Sequence, residues 1–147
     1  YGTISSCYSE GDVSGYYYLG GLVGRNYDGT ISNCYAEGDV SGSERVGGLV
    51  GYNYSSNQVG YNLGTITNCY AEGDVSGYYY VGGLVGWNSG PITNCYSEGS
   101  VSGDYNAGGL VGYNESFASI FLDHTLSPNP EGTLYIKNNR LILPNEE

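Results

Sequence analysis

Along most of this chain apolar and polar residues alternate in short runs that glycine interrupts. In the stretch Cys34, Tyr35, Ala36, Glu37, Gly38, Asp39, Val40, Ser41, every second residue is small or apolar and the others are polar or tyrosine. That is the period-2 pattern of a strand with one dry face. The opposite assignment would bury Glu10, Glu37, Glu72 and Glu98 without partners, at high cost, so Cys34, Ala36, Gly38 and Val40 are taken to face inward. Ile31 and Cys34 are three apart, as are Val46 and Leu49, and corners at Asn33 and at Gly47-Gly48 let both members of each pair point inward. The pattern predicts three short strands, over 30–36, around 39–41 and over 45–52. Leu49 and Val50 are adjacent, and neighbours in a strand point to opposite faces. One of two columns, Leu22, Leu49, Leu84 and Leu110 or Val23, Val50, Val85 and Val111, is therefore expected to face out.

The pattern occurs four times. Units open at Gly2, Gly29, Gly64 and Gly90, spaced by 27, 35 and 26 residues, and each carries a Cys 13 residues before the first Gly of GGLVG. Register inside a unit never slips, so all length variation falls in the connectors. A repeat of this size, rich in Gly, Ser, Asn, Tyr and Val and poor in helix formers, reads as a solenoid. The fold class expected is all-β, a parallel β-helix-like solenoid of four coils of about 26 residues. Residues 1–115 form the solenoid and 116–147 a C-terminal cap with a hairpin, TLYI and RLIL around Asn138-Asn139. Stacking would build ladders of Ile4, Ile31, Ile66 and Ile92, of Val13, Val40, Val75 and Val101, and of Cys7, Cys34, Cys69 and Cys95. It would also build two Asn columns, Asn33, Asn68 and Asn94 after Ser6, and Asn26, Asn53, Asn88 and Asn114, suited to turns where backbone groups lack sheet partners.

Four Lys and Arg against 15 Asp and Glu give a net charge of −11. That balance argues against nucleic acid and anionic lipid as partners, and no apolar run reaches the length of a membrane helix. The chain has no Met and starts in repeat register, which implies a processed product or an excerpt.

The run I-[ST]-N-C-Y-[AS]-E-G-x-V-S-G followed by GGLVGxN resembles the GLUG motif repeats of bacterial and archaeal surface proteins, over about residues 2 to 114. Such repeats occur in secreted adhesins of the filamentous-haemagglutinin type and in the non-catalytic region of streptococcal immunoglobulin-A-cleaving metallopeptidases. The resemblance implies an extracellular or cell-surface setting and a stalk or display role. It carries over no catalytic residue, because the HExxH zinc signature is absent and His124 is the only histidine.

The candidate chemistry is that of surfaces. Tyr8, Tyr35, Tyr70 and Tyr96 should make an exposed column, and Tyr16, Tyr17, Tyr18, Tyr78, Tyr79 and Tyr80 add rings in coils one and three. Such rings can stack on a sugar, fill a protein interface, or stack on one another. The outward acids Glu10, Asp12, Glu37, Asp39, Glu72 and Asp74 repel at coil spacing, which makes calcium a candidate cofactor, although the GGxGxD signature is missing. Otherwise no cofactor is expected. One Cys per coil without CxxC favours buried free thiols over a metal site or vertical disulfides. Asn53 and Asn114 open glycosylation sequons, and Asp123 beside His124 lacks a nucleophile elbow. Together these features suggest a non-catalytic extracellular structural or adhesive module, self-associating or binding another surface protein or a glycan, with filaments as one mode of assembly. The alternative is a carbohydrate-binding or carbohydrate-active β-helix, which would need acids concentrated at one point. Ice binding would need an unbroken Thr array, and Pro91 interrupts Thr3, Thr30 and Thr65.

Overall fold

In the computed structural model the described residues are 2–56, 63–115, 118–122, 134–137 and 140–142. Coil one contains β1 (Thr3–Ser5), β2 (Tyr8–Ser9), β3 (Val13–Ser14), β4 (Tyr17–Gly20) and β5 (Val23–Tyr27). Coil two repeats them as β6 (Thr30–Ser32), β7 (Tyr35–Ala36), β8 (Val40–Ser41), β9 (Glu44–Gly47) and β10 (Val50–Tyr54). In coil three, β11 (Thr65–Thr67), β12 (Tyr70–Ala71) and β14 (Val85–Asn88) flank one long strand, β13 (Val75–Gly82). Coil four has β15 (Ile92–Thr93), β16 (Tyr96–Ser97), β17 (Val101–Gly108) and β18 (Val111–Asn114). The strands are shorter and more numerous than the three expected, because each corner breaks the ladder. At the first corner Ser6, Asn33, Asn68 and Asn94 all take a left-handed conformation, φ 52–54°, which Asn tolerates better than most residues.

Equivalent strands stack in parallel and in register. Ile31 pairs with Ile4 and Ile66, Val40 with Val13 and Val75, and Val50 with Val23 and Val85. The chain is thus an all-β parallel solenoid, as its pattern implied. After coil four, β19 (Ser119–Leu122) extends the first sheet by pairing parallel with β15, so Ile120 continues the isoleucine column above Ile92 and is fully buried. Then β20 (Leu134–Lys137) and β21 (Arg140–Ile142) add antiparallel strands to the same sheet. The Asn138-Asn139 turn, Asp123 and His124 lie outside the described residues.

The expectation that Leu49 or Val50 faces solvent is overturned: both are fully buried, as are Leu84 and Val85. A bend at 48–49 separates β9 from β10, and across it the Leu84 carbonyl accepts hydrogen bonds from both Leu49 N, at 2.9 Å, and Val50 N, at 3.0 Å. The chain advances one residue without advancing along the ladder, so alternation restarts and both side chains turn inward. Each such side chain buried is worth about 1.5–3 kcal/mol.

The glycines of GGLVG make that bend tight. A Cβ on Gly47 would lie 2.1 Å from the Val50 carbonyl oxygen, and one on Gly51 would lie 2.6 Å from Leu19 N and 2.8 Å from the Arg45 carbonyl oxygen. Backbone therefore meets backbone at the arch. The core falls into two lobes, one holding Ile31, Cys34, Leu49 and Val50 with their stacked counterparts, the other Val40, Val46, Val75 and Val81.

The second Asn column closes each coil from within. Asn26, Asn53 and Asn88 each pass a side-chain hydrogen bond to the next Asn, at 2.8, 2.8 and 2.7 Å, and each also donates to a nearby glycine carbonyl, of Gly29, Gly64 or Gly90. Asn53 and Asn88 have no exposed surface and Asn114 is 4% exposed, so both sequon asparagines are enclosed in the folded chain.

Candidate interaction surface

The inward thiols of the sequence form a hydrogen-bonded column. Cys34, Cys69 and Cys95 each donate Sγ–H to the carbonyl two residues back, at 3.1–3.2 Å, and accept the amide of the preceding coil's cysteine at 3.4 Å. All four are free thiols. Burial pushes the Cys34 thiol up, and pairing with Cys69 together with burial pushes Cys95 up. Cys7, expected to be buried, is exposed, because no described coil is stacked on the outer side of coil one.

The acidic columns divide by role. Asp12 Oδ1 accepts the Asp39 amide at 2.9 Å, Asp39 Oδ1 the Asp74 amide at 2.8 Å, and Asp74 Oδ1 the Ser100 amide at 2.8 Å. Each aspartate thus caps an amide of the following coil at a turn. Glu10, Glu37, Glu72 and Glu98 point into solvent. Among the described residues no group of three or more His, Cys, Asp and Glu is placed to hold a metal ion, so Glu10, Asp12, Glu37, Asp39, Glu72 and Asp74 do not converge on one point.

The tyrosines gather into three rows. Tyr8, Tyr35, Tyr70 and Tyr96 stack ring on ring, with centroids 5.2, 4.9 and 5.0 Å apart and planes within 10°. Each pair is worth about 0.5–1.5 kcal/mol beyond its buried area. The two inner rings have both faces covered, so this row presents hydroxyl edges to a partner. Loss of solvent and the surrounding negative groups push Tyr35, Tyr70 and Tyr96 above the usual phenol range.

The second row was not anticipated from the sequence. Arg25, Tyr52, Trp87 and Tyr113 are in register on β5, β10, β14 and β18, and Tyr18, Arg45 and Tyr80 flank them. The left-handed backbone at Tyr18, Arg45 and Tyr80, φ 54–57°, accompanies ring and guanidinium contacts with this row. Tyr18 meets Tyr52 edge-on at 5.7 Å, and Tyr80 meets Tyr113 at 5.6 Å. The Arg25 guanidinium lies 4.5 Å from the Tyr18 ring and 5.2 Å from Tyr27, and Arg45 lies 5.1 Å from Tyr18 and 5.5 Å from Tyr80. The missed signal was the xN at the end of each GGLVGxN, where x is Arg, Tyr, Trp and Tyr in turn.

The third row comprises Tyr16 and Tyr17 in coil one and Tyr78, Tyr79 and Tyr105 in coils three and four. Tyr79 stacks on Tyr105 at 5.0 Å with planes 19° apart, and Tyr78 stands edge-on to Tyr79 at 4.6 Å. Coil two has Ser43 and Glu44 at these places. Among the described residues no helix is long and apolar enough to cross a membrane.

Fold and surface together define a repeat module, a parallel solenoid whose exposed rows are aromatic and acidic. The model of the GLUG motif matches residues 15–41, 42–76 and 77–102 in tandem, more than half of the 147 residues, and the chain belongs to that family. Its matched units start in mid-coil, so three of them span parts of the four stacked coils. No curated protein and no solved structure matches the chain.

Proposed function

We propose that the chain is a non-catalytic structural or adhesive module of a cell-surface or secreted assembly. The observation that carries this reading is the columnar placement of the cysteines, of the Glu10 and Asp12 families of carboxylates and of most rings among the described residues. The repeat sets thiols above thiols, carboxylates above carboxylates and rings above rings, whereas an active site is a single place where an acid, base or nucleophile is set apart by its surroundings. Beside the glutamate row, much of what faces solvent is tyrosine, a residue that supplies large contact area at low rotamer cost. The family assignment supports a repeat module, and the acidic surface suits a soluble display element.

A glycan array probed in parallel with a glycoside-hydrolase screen tests the reading, alongside sedimentation of the purified chain at micromolar concentration. Binding to glycan or protein, or self-association, without turnover is the expected result. Turnover of any oligosaccharide would favour the carbohydrate-active alternative and overturn it.

A further inference from the structure

One outward column carries the same ring in three coils and a different residue in the fourth. Tyr17, Glu44, Tyr79 and Tyr105 are in register on β4, β9, β13 and β17, so a column of rings is interrupted once, at coil two. The position beside it behaves alike. Ser43 lies between Tyr16 and Tyr78, its amide bonded to the Tyr16 carbonyl at 3.0 Å and its own carbonyl to the Tyr78 amide at 3.0 Å. Because the backbone ladder runs unbroken through this point, the strands on either side stay two steps apart, about 9.6 Å at the usual strand spacing. Tyr79 has one face against Tyr105, which leaves the other directed toward coil two. On the far side Tyr17 is 62% exposed, and Tyr79 is 39% exposed. The Glu44 carboxylate is drawn aside to the Arg45 guanidinium, with both side chains about a quarter exposed. The result is a gap one coil wide between tyrosines, with Ser43 and Glu44 at its base.

The geometry points to this slot as a binding site for one pyranose ring of a glycan, an assignment that deepens the adhesive reading and rests on it. A six-membered ring centred in the gap would stand about 4.8 Å from each wall, inside the range at which aromatic rings engage a stacked partner. A pyranose offers C–H faces to the two walls and hydroxyls around its edge. The floor supplies the complement, the Ser43 hydroxyl and the carboxylate of Glu44, a few polar groups fixing orientation within apolar walls. An aromatic side chain from another protein would fit the walls but brings no edge of hydroxyls to the Ser43 and Glu44 floor.

The test uses the whole chain and a panel of neutral oligosaccharides, read by saturation-transfer NMR and calorimetry. Glu44→Tyr completes the ring column with the residue that coils one, three and four already carry. It should weaken binding by at least about tenfold, since a lost ring contact of roughly 1.4 kcal/mol is a factor of ten, while the melting temperature stays at or above wild type. Tyr79→Ala should lose binding to the same degree, and Tyr79→Phe, which keeps the ring face, should retain it within about threefold. Binding by the Glu44→Tyr variant equal to wild type would overturn the slot and leave the adhesive reading standing. So would a wild-type chain that binds no member of the panel at millimolar concentration yet captures protein or its own copies. Oligosaccharide turnover would instead defeat the non-catalytic reading itself.

Discussion

Replacing Asn53 with alanine should be among the most damaging single changes in this fold, although no charge and little volume are lost. Its carboxamide donates to the Gly64 carbonyl at 2.6 Å and to Asn88 Oδ1 at 2.8 Å, and accepts from Asn26 Nδ2 at 2.8 Å, all without solvent contact. Three hydrogen bonds at about 1 kcal/mol net each give roughly 3 kcal/mol, and a Gly64 carbonyl left buried without that partner adds about 1–3 more. The total, about 4–6 kcal/mol, compares with the 5–15 kcal/mol that stabilises an ordinary domain. A chain of this size should lose roughly 10–20 °C in melting temperature. The control is the other asparagine column. Asn68 is exposed, its side chain makes one 3.3 Å bond to Asn33, and its φ is 52°. Asn68→Gly removes a weak contact but suits a left-handed position, so its effect should stay within about 0.5 kcal/mol. Urea midpoints and thermal melts of the two variants decide the matter. An Asn53→Ala cost below about 1.5 kcal/mol, or equal costs at the two sites, would refute the reasoning.

Alkylation of the native chain should label Cys7 quickly and Cys34, Cys69 and Cys95 only on unfolding, because three thiols are enclosed and Cys7 is not; peptide mapping without reductant should recover no disulfide-linked pair. Tyr35, Tyr52, Tyr70, Tyr78 and Tyr96 all hold their protons more tightly in the fold than a free phenol does. A raised acid favours the folded state below the free phenol value, about pH 10, and loses that contribution as pH rises through the folded values. The tyrosine contribution should thus be lost only above about pH 10, after that of the raised Cys34 and Cys95 thiols begins to fall above about pH 8.5, with phenolate absorbance lagging behind that of the unfolded chain. Asp39→Ala should cost about 1 kcal/mol, as loss of a capping acceptor does, and a chelator should leave the melt of the wild-type chain unchanged. A chelator-dependent melt would restore calcium to the acidic columns.

The ladders were legible because like residues recur at fixed offsets and a carboxylate cannot be buried alone; Ile31, Cys34 and Val40 followed from those two facts. The corner at Asn33, though not its left-handed backbone, was legible from a three-residue step in the apolar pattern. The fate of Leu49 and Val50 was not, since strict alternation assumes an uninterrupted ladder and the GGLVG bend spends one residue without advancing. Ile120 was missed for a different reason: Phe117 to Leu122 lacks the repeat motif, yet any apolar strand that can pair with β15 extends the isoleucine column. The Arg25, Tyr52, Trp87, Tyr113 row escaped notice because its members differ in type. Which tyrosines would spend their faces on one another depended on ring orientation, and composition does not encode that.

Backbone pairing, rather than side-chain likeness, carries the register in this solenoid, and that has a consequence for where function can be written. A coil whose outward residues change still offers the same amides and carbonyls to its neighbours, as Ser43 and Glu44 do between coils of tyrosine. Inward columns lack that freedom: a changed volume at Leu49, or a Cβ at Gly51, meets atoms of the next coil or of the arch itself. The outer face can therefore be altered one coil at a time at little cost to folding, while the inner columns must change together. In such an array an outward departure in a column whose three other coils share one residue, as at Glu44, is explained poorly by stability, because that residue already packs in the other three. It is explained better by contact with something outside the chain, which makes position 44 the place to look first.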